Sequence, residues 1–353
     1  MLNKRISALA GCVLALGVLT ACGSAPDYSG AGHGDVTIQV KSGDTAAAIG
    51  NTLKAAGVVE SVDAFIKAAA ADPAAAGIQP GSYKLHLQMS SAAALKILDD
   101  PANRSATGVT IIEGSRVADV VTAVVTHSKI TRSAMEAALQ HPEKLGLPSW
   151  AGNNPEGFLF PATYDVAPHE TATELLRGMV SRAVQADTSV GLPASAAKVG
   201  LTPRQVVTMA SLLQWEGKRE GDLGKIAQVF YNRLHNATNP NRTADMPILL
   251  QSDATVAYAN NLTGTVWTTP AQRANPSPYN TYVHAGLPPG PIGSPGLNAL
   301  QIALNPTPGP WQYFVPINLE TGETAFSTTL AEQNANTAKL NAWCAQTKSP
   351  NCQ

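Results

Sequence analysis

One carboxyl in this sequence sits where a helix would change its chemistry. Leu201 to Leu234 reads LTPRQVVTMASLLQWEGKREGDLGKIAQVFYNRL. Thr202 can cap a helix, Pro203 suits its first position, and Gln205 completes a capping-box pattern. Val206, Met209 and Leu213 recur at helical spacing, and the next residue on their stripe is Glu216. Gly217 follows as a stop signal. The spacing therefore predicts an acid at the C-terminal end of a helix, on the face that turns inward. Burial disfavours its charged form, and so does the negative end of the helix dipole. A carboxyl held protonated near neutral pH is what a general acid needs. The competing reading is a solvated glutamate at a helix end, because perturbed acids mark functional sites only statistically. Gln214, Lys218, Glu220 and Asp222 fall off the stripe or in the following loop and read as wet surface. Asp222 can also cap the next helix.

The elements around this acid are limited by length and composition. The chain has 353 residues, room for two or three domains. A formal net charge of -1 gives no basic footprint for nucleic acid. Four cysteines fall in two pairs, Cys12 with Cys22 and Cys344 with Cys352, and no C-x-x-C or His-rich cluster argues for a metal. In an oxidising compartment a Cys344–Cys352 disulfide is one reading. Two free thiols on a frayed tail are the other.

Lys4 and Arg5 precede an apolar run from Ile6 to Ala21, a signal-peptide pattern. That run is shorter than the ~20 residues a membrane span prefers. Leu19-Thr20-Ala21-Cys22 resembles the bacterial lipobox, in which the cysteine is lipidated; an uncleaved membrane anchor is the alternative. Either reading exports residues 23–353. Residues 23–35 have linker composition.

Two similar units follow. Val36 to Val40 predicts a strand, Ser42-Gly43-Asp44 a turn, and Thr45 to Ala56 a helix. Val109 to Ile112, Glu113-Gly114-Ser115 and Val117 to Thr126 repeat that order. Each continues into a further helix near Ser61 or Thr131, and Pro80 to Leu85 turns into a strand. The first unit resembles a LysM-like module, which implies contact with glycan chains; a packing unit without a ligand is the alternative. Thr171 to Ala186 predicts an amphipathic helix, and Leu223 to Leu234 predicts another. Segments around Tyr279 and Pro288 hold too much Pro and Gly for regular core elements. Their Tyr, Asn, Thr and Ser suit a saccharide groove. Gln312 to Ile317 and Glu323 to Ser327 predict a hairpin, and Thr329 with Glu332 opens a last helix. The expected fold class is α+β, with LysM-like small α+β units followed by a mixed α/β catalytic domain. The expected segments are 1–22 (signal with lipobox-like end), 23–35 (linker), 36–100 (LysM-like), 101–195 (second α+β unit and connecting helices) and 196–353 (catalytic).

Met209-Ala210-Ser211-Leu212-Leu213 leading to Glu216, then Lys225 to Leu234 (KIAQVFYNRL), resembles the endolytic murein transglycosylase family (MltG, YceG-like). LQSDATVAY, SPYNTYVHAGLPPGPI and FSTTLAEQN follow in the family's order, and EGFLFPATY and the first unit extend the likeness back to about Val36. The resemblance implies a membrane-attached enzyme on the outer face of the cytoplasmic membrane. It would cut nascent peptidoglycan strands internally, leave 1,6-anhydro-N-acetylmuramic acid ends, and contact the cell-wall elongation machinery. The family's catalytic glutamate falls on Glu216. Asn232, Arg233, Gln251, Ser252, Asp253, Tyr279, Asn280 and Thr281 are carried over as groove residues. The sequence departs from the family at Gln214, where an acid is usual, at Ala162 (Asp) and at Leu223 (Arg). The insert HNATNPNRTADMPIL before Leu250 is longer than usual, and a lipobox-like end stands where the family has a transmembrane helix.

Glycoside hydrolysis normally takes two carboxylates. A lytic transglycosylase uses no water, so one well-placed glutamate fits it, and no metal or organic cofactor is implied. Two rivals remain at this level. One is a non-catalytic wall-binding lipoprotein, which Gln214 and Ala162 favour. The other is a muramidase pairing Glu216 with Asp253 or Asp245. Because residue 214 lies off the stripe, Gln214→Glu is expected to be tolerated.

Overall fold

The computed structural model describes residues 25–41, 43–105, 108–167, 170–216, 219–263, 268–349 and Cys352. The signal-like segment and the lipidation candidate Cys22 lie outside the described residues, as does the stop signal Gly217. Among the described residues no helix is long and apolar enough to cross a membrane. The chain divides into two compact units, the first ending at Ser105 and the second running from Ala106.

The first unit runs β1 (His33–Val40), α1 (Ala46–Ala55), α2 (Val62–Ala71), β2 (Gly81–Leu87), α3 (Ser91–Asp99) and β3 (Arg104–Ser105). Its sheet is antiparallel in the order β1-β2-β3, with Ile38 opposite Tyr83 and Val36 opposite Leu85. Alternation sends Ile38, Val40, Tyr83 and Leu85 into the core beside Leu53, Phe65 and Leu98. Thr45, Ser61 and Ser90 each accept a backbone N–H at a helix start. α3 follows β2 where no helix is expected from the sequence.

The second unit opens with the same order of elements. β4 (Gly108–Thr110) pairs antiparallel with β5 (Thr163–Asp165), and α4 (Val117–His127) and α5 (Arg132–Leu139) lie between them in sequence. The expected strand to Ile112 stops pairing early: Ile111 N–H still donates to Ala162 O at 2.9 Å, but Ile112 is 70% exposed. α6 (Ala172–Ser189) starts with a Thr171–Glu174 capping box and packs on this part.

Then come α7 (Leu192–Ser195), α8 (Pro203–Glu216), α9 (Glu220–Thr238), α10 (Asp253–Ala259), α11 (Pro270–Arg273) and α12 (Leu297–Leu304). The antiparallel hairpin β6 (Tyr313–Asn318) and β7 (Glu323–Ser327) and α13 (Leu330–Thr347) finish the chain. From residue 196 on, the only sheet among the described residues is that hairpin. This part is therefore helices plus a hairpin and not an alternating α/β arrangement, and the chain as described is α+β. α9 starts before the expected Leu223. Arg219 takes the N-cap position without a side-chain cap, and Asp222 lies inside the first turn instead of capping it. Cys344 and Cys352 form a disulfide.

α8 is the centre of this unit. Its start carries the expected box: Gln205 N–H donates to Thr202 Oγ1 at 3.3 Å, and Thr202 N–H donates to Gln205 Oε1 at 2.9 Å. Every residue from Val206 to Leu213 is buried, against α12, α9 and α10. An apolar helix enclosed all round holds its last residue in a fixed place.

Candidate active site

Glu216 is the last residue of α8, with a half-buried side chain. Ser252 Oγ donates a hydrogen bond to its Oε1. Burial pushes the Glu216 carboxyl up to about 7; the Ser252 bond opposes that, the nearby Asp253 carboxylate adds to it, and the Arg233 guanidinium opposes it. Desolvation thus outweighs the opposing hydrogen bond and cation, and the group sits between its two protonation states near neutral pH. The stripe in α8 foretold the position and the direction of the shift.

Ser252 is itself fixed by a closed set of bonds. It is 1% exposed and stands at the N-cap position of α10 without a side-chain cap, its hydroxyl being given to Glu216. Its N–H donates to Thr281 Oγ1 at 3.0 Å, and Thr255 Oγ1 donates to Ser252 O at 2.7 Å. Thr255 Oγ1 also accepts from Thr281 N–H at 3.2 Å. With the one Thr255 hydroxyl proton committed, the 2.8 Å contact between the two threonine oxygens is donated by Thr281. Gln251 N–H donates to Thr281 O at 3.1 Å, and Gln251 takes a left-handed φ of 54° that turns the chain into α10. Ser252 thus bonds the acid directly, and Thr281 bonds Ser252 and Thr255 behind it. Thr255, buried at 0% exposure, has no individual signal in the sequence beyond lying in the same segment.

Asp253, the next residue, is engaged elsewhere. Arg273 Nη2 lies 3.3 Å from its Oδ1, and Thr268 Oγ1 donates to that same oxygen. The Tyr282 ring lies over Arg273, 4.9 Å from its guanidinium. Asp245, the alternative partner acid, sits in an exposed stretch.

Arg233 lies on the inward stripe of α9 with Ile226, Val229 and Phe230, and is 5% exposed. Its Nε donates to Gln312 O at 2.8 Å, and Nη1 donates to Leu250 O at 2.7 Å and to Leu249 O at 3.2 Å. Its guanidinium lies 5.5 Å from the Tyr313 ring centre. Burial lowers its pKa to about 10, while Tyr313, Glu216 and Tyr282 pull the other way. It stays cationic at neutral pH and fastens the segment before Ser252 to the start of the hairpin.

The remaining expected groove residues divide into framework and wall. Asn232 donates from Nδ2 to Gly309 O at 3.0 Å and Trp311 O at 2.7 Å, and accepts from Gln228. Asn280 is fully buried and donates to Arg273 O and Asn275 O. Both spend their amides on backbone and position loops. Tyr279 packs on Tyr258 with ring centres 4.8 Å apart, and Tyr258 donates to Glu156 Oε2 at 3.2 Å. Glu156, in the aromatic loop, also accepts from Val117 N–H and is raised to about 7 by burial. The sequence offered no reason to single it out. A cavity of about 740 Å³ is lined by Gln205, Gln228, Tyr231 and Asn232 among others, and Glu216 is not among its lining residues. Among the described residues no group of acids, histidines or cysteines could hold a metal.

The arrangement is one proton-exchanging carboxyl on a rigid helix end, a hydroxyl bonded to it, and a neighbouring carboxylate neutralised by its own cation. Such a set can give and retake a proton at one place. Residues 38–339 match the sequence model of the YceG-like family, so this chain is a member of that family. It is 31% identical over 317 residues to a Bacillus subtilis protein named endolytic murein transglycosylase, covering 85% of this chain and 83% of that protein. A Streptococcus pneumoniae protein of the same name is 30% identical over 334 residues, and there the match spans 86% of this chain and 58% of the relative. A crystal structure of a YceG-like protein from Listeria monocytogenes superposes with a TM-score of 0.57 at 25% identity, over 86% of this chain and 99% of that one.

Proposed function

We propose that this protein is an endolytic lytic transglycosylase that cleaves the MurNAc–GlcNAc bond within peptidoglycan strands. The observation that carries the reading is Glu216, raised to about 7 and bonded to Ser252, beside an Asp253 already tied to Arg273. Protonated Glu216 gives its proton to the leaving O4 as the C1–O4 bond breaks. The resulting carboxylate then takes the proton of the muramyl C6 hydroxyl as O6 bonds to C1. Atoms balance without water, the products are a new GlcNAc end and a 1,6-anhydro-MurNAc end, and the acid is restored. A pKa near the working pH serves both halves. A two-carboxylate hydrolase is less well supported, because Asp253 is held by Arg273 and Thr268 and Asp245 is exposed. The names of the relatives, both endolytic murein transglycosylases, support the same substrate class.

The finer parts of the reading are anchoring and location. We place the protein on the outer face of the cytoplasmic membrane, held by lipid on Cys22, near the elongation machinery. The first unit, with its β–α–α–β order, is read as a LysM-like grip on glycan. Product analysis on uncrosslinked strands tests the activity. Anhydro ends support it, reducing ends support a hydrolase, and intact strands support a binding protein.

A further inference from the structure

The residue just before the acid has no role in this chemistry, yet it is placed beside it. Trp215 is 53% exposed at the end of a helix whose residues from Val206 to Leu213 are all buried. Its ring lies against Gly114: a Cβ built there would be 3.0 Å from Trp215 Cε2 and Cζ2, and Gly114 has a φ of +82°. Only glycine gives both that turn and that approach. The turn is in turn fastened. Gly114 N–H donates to Ser294 O at 2.8 Å, and Ser294 N–H donates to Ser115 O at 2.8 Å. Gln214 closes the set, donating to Glu113 Oε2 at 2.9 Å and accepting from Gly296 N–H at 2.9 Å. Ile112, 70% exposed, stands on the same turn. A large ring is therefore pinned at its edge and left open to solvent, one residue from the proton donor.

We infer that Trp215 is a stacking platform for a pyranose ring of the glycan strand, a sugar subsite on the same helix end as Glu216. This rests on the transglycosylase reading. Pyranoses present apolar C–H faces and polar rims, which suits a rigid exposed ring with amide and carboxylate groups beside it. Gln214 and Glu113, bonded to each other, form the polar edge of that platform. Lying one residue before Glu216 on α8 and pinned by the turn, the platform offers a neighbouring sugar of the strand a fixed face.

The test uses the full chain, with Glu216→Gln for binding and the native acid for turnover. Trp215→Leu in the Glu216→Gln protein is expected to weaken binding of uncrosslinked glycan strands by roughly 3- to 10-fold. Trp215→Phe should keep most of it, and Trp215→Leu with native Glu216 should raise KM more than it lowers kcat. Unchanged strand binding and KM in Trp215→Leu, with anhydro ends still released, would overturn the subsite alone. A loss confined to binding of phosphatidylglycerol-containing vesicles would overturn it in favour of a membrane contact. If the native protein releases no anhydro ends and the Glu216→Gln protein binds no strands, the transglycosylase reading fails and the subsite fails with it.

Discussion

Ser252 and Glu216, 36 residues apart in sequence, share a hydrogen bond in which the serine hydroxyl donates to the carboxylate. The bond stabilises the charged form and so draws the carboxyl down, against the burial that raises it. Ser252→Ala removes the opposing effect. Its expected outcome is a Glu216 that titrates at still higher pH, with turnover reduced by less than the loss of the acid itself. A pH–rate profile of the variant checks this, and a limb that moves toward lower pH would contradict it.

The shape of the profile also separates one carboxyl from two. If Glu216 alone acts, kcat/KM is level below about 7, where the acid is protonated, and falls about tenfold per pH unit above it. A hydrolase with an ionised partner would show a second, rising limb in the acid range. Glu156 is raised to a similar value but makes its contacts to Val117 N–H and Tyr258. Glu156→Gln is therefore expected to leave the descending limb in place.

Glu216→Gln is expected to abolish turnover while the fold survives, a fall of roughly 10²-fold or more. Asp253→Asn should cost less. Stability provides a second check. A glutamate raised in the folded state contributes stability that is fully present below its unfolded pKa and lost as pH rises through about 7. Glu216→Gln removes that dependence, so its advantage in Tm over the native protein should be larger at pH 8 than at pH 5. Thermal melts at both pH values decide it.

How far the sequence alone reached follows from the kind of interaction each element depends on. The α8 box, the helix from Thr171, the hairpin and the Thr329 box were legible because each is set by residues a few positions apart. Glu216 was legible because it continues an apolar stripe. α10 and α12 were not, being short helices of seven and eight residues whose burial comes from tertiary packing. The division of the groove residues was equally hidden. Asn232 and Asn280 have the composition of sugar-binding amides, and only their backbone partners, 77 and 79 residues away for Asn232, show them as framework.

Arg233 shows the same limit and yields a test. Its donors go to backbone carbonyls of Gln312, Leu250 and Leu249. Arg233→Ala would leave those carbonyls without their charged donor inside the core, at a cost of about 2–4 kcal/mol. Lysine has a single ammonium in place of a planar fork and should rescue only part of it. Urea unfolding of both variants measures the loss. Equal stability of Arg233→Ala and the native protein would remove the proposed fastening.

Residue 214 is the sharpest disagreement between the linear pattern and the structure. Off the α8 stripe, it reads as a surface position where glutamate is harmless. In the fold, its amide has two directed roles: Nε2 donates to Glu113 Oε2 and Oε1 accepts from Gly296 N–H, each at 2.9 Å. Gln214→Glu keeps the acceptor but turns the donor into a carboxylate facing Glu113. The like charges raise the pKa of the pair in the folded state, so the penalty is present at high pH and relieved as protons bind at lower pH. The expected loss is about 1–2 kcal/mol at pH 8, smaller at pH 5. Exchanging both residues, Glu113→Gln with Gln214→Glu, gives glutamine the donating role from the other side and should restore most of the stability. Thermal melts of the single and double variants at the two pH values decide the matter. A single variant as stable as the native protein at pH 8, or a double variant no better than the single, would show that this bond does not hold the turn beneath Trp215.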